Sequence, residues 1–128
     1  MIYRVQSPLS IYLSKKSKFI LNLNNYRNTH YFKLNQAKRL YKETVLPQLK
    51  QLPTFHHIKL KYIYYSPNKR KCDIANICSI VDKFFCDALV ETGHLEDDNY
   101  DFIPSVLYCF GEVDKENPRI EIEIEELS

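Results

Sequence analysis

Hydrophobic and polar residues alternate most strictly in two stretches of the chain. In HHIKLKYIYYS (His56–Ser66), Ile58, Leu60, Tyr62 and Tyr64 point one way and Lys59 and Lys61 the other, the period of two of a half-buried strand. In RIEIEIEEL (Arg119–Leu127), Ile120, Ile122 and Ile124 alternate with Glu121, Glu123 and Glu125, which predicts a strand covering a core with one face. Its acidic row reads as a solvated face or as edge protection. FIPSVLYCF (Phe102–Phe110) predicts a third strand, and LSIYL (Leu9–Leu13) with KFILNL (Lys18–Leu23) a hairpin around the polar SKKS turn.

Elsewhere the period lengthens to that of a helix. From Lys33 to Leu49, Leu34, Ala37, Leu40, Tyr41 and Val45 keep to one face while Lys33, Lys38, Arg39 and Lys42 lie elsewhere, and Pro47 is expected to end or kink the segment. Asp73 to about Thr92 carries the widest apolar face, with Ile77, Ile80, Val81, Phe84, Phe85, Ala88 and Leu89. Asn76, Ser79, Lys83 and Asp87 make a polar stripe on it; Asp73 is placed to cap its start and Gly93 to stop it. NNYRNTHYF (Asn24–Phe32) has no clean period and reads as a loop, whose aromatics, with Arg27 and His30, either stack on bases or make a satisfied surface. These elements predict one domain over residues 1–128, of α/β (α+β) class, with a mixed, largely antiparallel sheet and two principal helices.

Composition adds little until it is divided along the chain. At 45% hydrophobic and 27% charged it is that of an ordinary globular protein, and no apolar run approaches the length that spans a bilayer. The first residues lack the basic-then-apolar layout of a secretory signal, so an intracellular, cytoplasmic protein is expected. Four cysteines without a C-x-x-C pair favour buried reduced thiols over a zinc site. Residues 1–71 hold 15 Lys and Arg against one acid (Glu43), and residues 72–128 hold 3 against 15 acids. Such asymmetry points either to a polyanion held by the basic part or to halves that neutralise each other across the fold or across a dimer.

Several of the acids fall where metal chemistry has use for them: Asp73 before the second helix, Asp87 within it, and Asp97 and Asp98 after it. Carboxylates are the usual protein ligands of Mg²⁺, which polarises a phosphodiester, activates water and stabilises the leaving oxygen. Lys69, Arg70 and Lys71, just before Asp73, are placed to grip a neighbouring DNA backbone. Each acid also has a plain reading: Asp73 as a helix cap, Asp87 as a partner of Lys83, and EDDN as a polar turn.

DIAN…DKFFCDALVETGHLEDDN, following a strand and a basic turn, resembles the RusA family of Holliday-junction endonucleases. That family's signature is a D-x-D-N start, then Lys and D-A-L on a helix, then a double Asp. Asp73 and Asn76 match the first part, Lys83 precedes Asp87-Ala88-Leu89 by the family's interval, and Asp97-Asp98 follow at its spacing. The stretch from Asn76 to Lys83 is one helical turn longer than in the best-known member. LNNYRNTHYFKLNQAK loosely resembles the family's N-terminal loop and helix. The resemblance implies a homodimer that binds four-way or other branched DNA and nicks it symmetrically with Mg²⁺, for which Mn²⁺ can substitute. Asp73 and Asp98 would be metal ligands with Asp97 beside them, Lys83 would assist electrostatically, and Asn76 and Asp87 would be structural or supporting. Arg27, Lys69, Arg70 and Lys71 would contact DNA.

Ala75 departs from the pattern, for it stands where the family has its second Asp and offers no ligand atom. Weakened cleavage, a binding-only descendant and an inactivating substitution all remain open on the sequence, as does a structural protein whose opposite charges pair chain to chain. Distance is a second constraint. An unbroken helix separates Asp73 from Asp87 by about 21 Å, so one ion in one subunit is not shared by both. Asp97 and Asp98 reach Asp73 only by folding back or from a second subunit, which makes a composite site at a dimer interface a live hypothesis.

Overall fold

The computed structural model describes residues 1–127. Its order is β1 (Ile2–Ser7), β2 (Ser10–Tyr12), β3 (Lys18–Ile20), α1 (Leu23–Asn28), α2 (Tyr31–Leu49), β4 (Ile58–Ser66), α3 (Ile74–Glu91), β5 (Ser105–Val113) and β6 (Arg119–Glu126). Four strands form one sheet in the order β1-β6-β4-β5, and β2 and β3 pair separately as the expected hairpin. β1–β6 and β6–β4 are antiparallel, whereas β4 and β5, joined through α3, run parallel. This is the mixed, mostly antiparallel sheet with two long helices that the periodicity predicts. Among the described residues no helix is long and apolar enough to cross a membrane.

The alternation in β4 and β6 settles which face is covered. Ile58, Leu60, Tyr62 and Tyr64 of β4 and Ile120, Ile122 and Ile124 of β6 are buried in one cluster with Val81, Phe84, Phe85 and Leu89 of α3 and Ala37, Tyr41, Val45 and Leu49 of α2. Burying such side chains contributes about 1.5–3 kcal/mol each. Gly93 takes the left-handed φ of 79° that ends α3, while the His94 N–H reaches back to the Leu89 carbonyl at 2.9 Å.

The opposite face of the sheet bears the charges. Lys59 lies across from Glu125 and Lys61 from Glu123, and Arg4 pairs with Glu123 at 3.4 Å. Arg119 bridges Asp114 and Glu121, with its guanidinium 3.9 Å from the centre of the Tyr65 ring. Part of the opposition between the two halves of the chain is therefore neutralised within this sheet. β6 lies inside the sheet, between β1 and β4, so its glutamates do not protect an edge; they line a face and answer cations on both neighbouring strands.

Four expectations change. β1 is an additional strand, too short to show a period. NNYRNTHYF is helical rather than a loop, because Asn22 caps α1 by accepting the Asn25 N–H at 2.8 Å and His30 caps α2. Pro47 lies inside α2, which runs two residues past it to Leu49, so the proline does not end the helix. β5 begins at Ser105, after the Phe102–Pro104 entry, and runs three residues beyond Phe110. Gly111 is its extra residue, at a bulge opposite Tyr64 and Tyr65, where an added Cβ would lie 2.9 Å from the Tyr65 ring.

Candidate functional site

Asp73 stands where β4 hands the chain to α3. Its carboxylate accepts the Ala75 N–H at 3.1 Å, the geometry of a helix cap, and Ala75 itself is exposed. Asn76, one position on, has its amide oxygen on the Leu23 N–H at 3.1 Å, which satisfies the first turn of α1. Its part is structural, tying α1 to α3 across 53 residues of sequence. Lys83 lies two turns further along α3, exposed, with its ammonium 5.8 Å from the centre of the Tyr26 ring of α1.

The basic loop leading into Asp73 is shaped by its own polar side chains. The Ser66 hydroxyl bonds to the Asn68 carbonyl, and the Asn68 side chain accepts the Arg70 N–H at 2.9 Å. Lys69, Arg70 and Lys71 are exposed, and none forms an ion pair among the described residues. Two clefts flank the loop. One of about 580 Å³ has Lys18, Asn22, Arg70, Lys71 and Asn76 on its walls; the other, of about 440 Å³, sets the three loop cations beside Ile74, Phe110 and Val113. Both open at the carboxyl end of the parallel β4–β5 pair, the end at which open α/β sheets hold ligands.

Asp97 and Asp98 lie at the other end of α3, before β5 begins. Asp97 accepts the Asp98 N–H at 2.7 Å and the Asn99 side-chain amide at 3.0 Å. Partial burial, then the bond with Asp97 and the charge of Asp87, hold the Asp98 carboxyl above the usual carboxylate range. Asp87 pairs with Lys38 of α2 at 3.1 Å and not with Lys83, because Lys83 points to Tyr26 instead. Lys42 of α2 likewise meets Glu91 of α3 at 2.9 Å. Two cations of the expected basic face of α2 are thus engaged by α3, while Lys33 and Arg39 remain exposed.

The structure therefore does not bring Asp73 to Asp98 within one chain. The 18 residues of α3 hold their ends about 27 Å apart. Among the described residues no group of three or more His, Cys, Asp or Glu side chains is arranged to hold a metal ion. Asp73 is occupied as a cap, Ala75 contributes nothing, and the pair at Asp97 and Asp98 lies at the opposite end of the sheet. One chain alone does not fit Mg²⁺.

One cluster escaped the sequence reading. Asp82, half-buried on α3, accepts the hydroxyls of Tyr62 at 2.7 Å and Tyr108 at 3.0 Å and lies 3.2 Å from the Cys86 sulfur. Burial first, and this neighbourhood second, push the Tyr62 and Tyr108 phenols up from their ordinary values. The carboxylate locks α3 to β4 and β5 at once. Its signal was an acid on the apolar side of a helix facing two strand tyrosines. All four cysteines are free; Cys78 and Cys86 are buried and Cys109 half-buried as expected, but Cys72 is exposed in the basic loop. Burial pushes the Cys78 thiol up to about 12, so it is inert as a nucleophile.

No protein-family model matches the chain, and no curated protein sequence matches it either.

Proposed function

We propose that this chain is a RusA-like endonuclease for branched DNA, working as a homodimer in which each catalytic site is shared by two copies. What carries the reading is the distribution of charge at the two ends of β5. The cations Lys69, Arg70 and Lys71 and the cap Asp73 lie at the carboxyl end of the parallel pair, and Glu96, Asp97, Asp98 and Asp101 precede its amino end. β5 is an edge strand, bonded to β4 on one side only, and exposes Val106, Leu107 and Phe110.

Antiparallel pairing of β5 with its own copy about a two-fold axis sets the carboxyl end of one strand beside the amino end of the other. The basic loop of each copy then meets the acidic segment of its mate, and Asp73 comes to the side on which the second copy carries Asp97 and Asp98. The ligand set for a divalent ion, Mg²⁺ or Mn²⁺, belongs on this reading to the pair of chains. Exposed cations round each site serve the phosphates, and the two-fold axis suits a four-way junction with two equivalent cleavage points.

Ala75 favours a second reading, a branched-DNA-binding protein that does not cut. A mixing experiment separates the two. In an Ala75→Asp background, chains carrying Asp73→Asn and chains carrying Asp98→Asn are assayed on a labelled four-way junction with Mg²⁺, alone and combined. Each is expected to be inactive alone, and the mixture to recover cutting, since one of the two shared sites in a mixed dimer is whole. Junction binding without cutting by the Ala75→Asp chain and by every mixture supports the silent binder. No preference for a junction over duplex at moderate salt removes both readings.

A further inference from the structure

The start of α2 presents three aromatic rings that the core does not use. His30, Tyr31 and Phe32 stack on one another with ring centres 4.6, 5.2 and 4.3 Å apart, and Tyr31 is 60% and Phe32 68% exposed. The His30 ring is pinned because its Nδ1 accepts the Phe32 N–H at 3.3 Å. The first residue of α2 to pack against the core is Leu34. Large rings left in water beside each other form the kind of exposed apolar patch that marks interaction sites.

Their surroundings fix the chemistry of the ligand. Arg27 and Lys33 lie on either side of the rings in the sequence and are exposed without an ion pair among the described residues. Planar faces with exposed cations beside them in the chain suit nucleobases joined by phosphates. The rings are also held in place relative to the α3 motif. Asn76 grips the start of α1, Tyr26 lies beside Lys83, and the six residues of α1 span about 9 Å, roughly three steps along a DNA strand.

We propose that His30, Tyr31 and Phe32 form a platform on which unpaired bases stack at the branch point of the substrate, with Arg27 and Lys33 on the adjoining phosphates. This rests on the DNA reading above and adds to it the part of the substrate that is recognised. Within a continuous duplex both faces of each base are covered by its neighbours, so the platform favours branched and single-stranded DNA.

The chain contains no tryptophan, so Phe32→Trp installs a single emitter on the platform. Binding is measured without metal at fixed salt to a four-way junction, a single strand and a blunt duplex. Quenching of the tryptophan by junction and single strand, but not by duplex, is expected. The pair Tyr31→Ala and Phe32→Ala is expected to weaken junction and single-strand binding by about tenfold or more while duplex binding changes by less than about twofold. Tyr31→Leu with Phe32→Leu, which keeps apolar surface but no ring, should lose as much. If the parent chain binds the junction and either pair binds it equally well, or the emission does not change, the platform is overturned and the DNA reading stands. If the parent binds none of the three, both fall. Emission already shifted without DNA, together with a change in mass on light scattering when the rings are removed, gives the surface to a second copy and overturns the platform too.

Discussion

The two edges of the four-stranded sheet have been treated differently. β1 is covered at Gln6: the Gln48 side chain of α2 accepts the Gln6 N–H at 2.7 Å and donates to the Gln6 carbonyl at 2.8 Å, as a neighbouring strand would. The Tyr41 hydroxyl secures the same strand through Ser7 at 2.7 Å. β5 has no such cover. Its bulge at Gly111 interrupts the register only in the last third, and the regular part leaves Leu107 54% and Phe110 53% exposed. An amide that mimics a strand prevents pairing, whereas an open apolar edge invites it. The contrast leaves one edge partly covered by the chain itself and the other open, as the proposed dimer requires.

The strongest way to break that contrast is to charge the open edge. Val106→Glu with Phe110→Glu is expected to keep the chain monomeric at concentrations where the parent is dimeric, weakening association by about a thousandfold or more, as light scattering will read. Junction cutting in the Ala75→Asp background should disappear with the dimer. Truncations come next. Leu89→Ala or Ile122→Ala, both fully buried, should lower unfolding free energy by about 2–5 kcal/mol in urea, whereas Leu107→Ala should leave a monomeric background within about 0.5 kcal/mol.

Opening the closed edge has a smaller effect. Gln48→Leu should cost about 1–2 kcal/mol, since it removes two hydrogen bonds from the Gln6 backbone. It should also produce assemblies larger than a dimer, because both edges are then available. The smallest effect concerns pH. The folded chain holds Asp98 above the usual carboxylate range, so it binds that proton more tightly than the unfolded chain does. The contribution of this group to stability therefore rises as pH falls through the folded value, and the ionised carboxylate is a slight penalty at neutral pH. Asp98→Asn should raise the Tm of a monomeric background slightly at about pH 7 and reduce its difference from the value at about pH 4. In the proposed dimer, which would set Asp98 beside the basic loop of the other copy, the gain should vanish.

What the sequence made readable follows from period. β4, β6 and α3 each bury one face along a run long enough to repeat, and their faces, the Asp73 cap and the Gly93 stop could be named from the residues alone. The hidden parts were those in which a few residues act at long range. β1 has six residues and is defined by its pairing with β6, 113 positions or more away in the chain. α1 depends on an amide from Asn76, and no local pattern announces that. At the candidate site, spacing along α3 was legible, and with it the distance that keeps Asp73 from Asp98. The proposed sharing of the site between copies rests on an edge strand, and that edge could not be known before β5 had a place in the sheet. Lys38 for Asp87, in place of Lys83, is the same kind of miss: a helical neighbour lost to a tertiary one.

The bond from Asn76 to the first turn of α1 has a consequence for how loss-of-function screens are interpreted. Asn76 sits inside the motif that suggests a nuclease, so an inactive Asn76→Ala chain would be scored as missing a reactive group. The substitution instead strands a backbone N–H at Leu23 and loosens α1, which carries Arg27 and leads into the three exposed rings. Its signature would be faster amide exchange over residues 23–28 with β4 and β6 unchanged, a defect of scaffolding that an activity assay alone would report as chemistry.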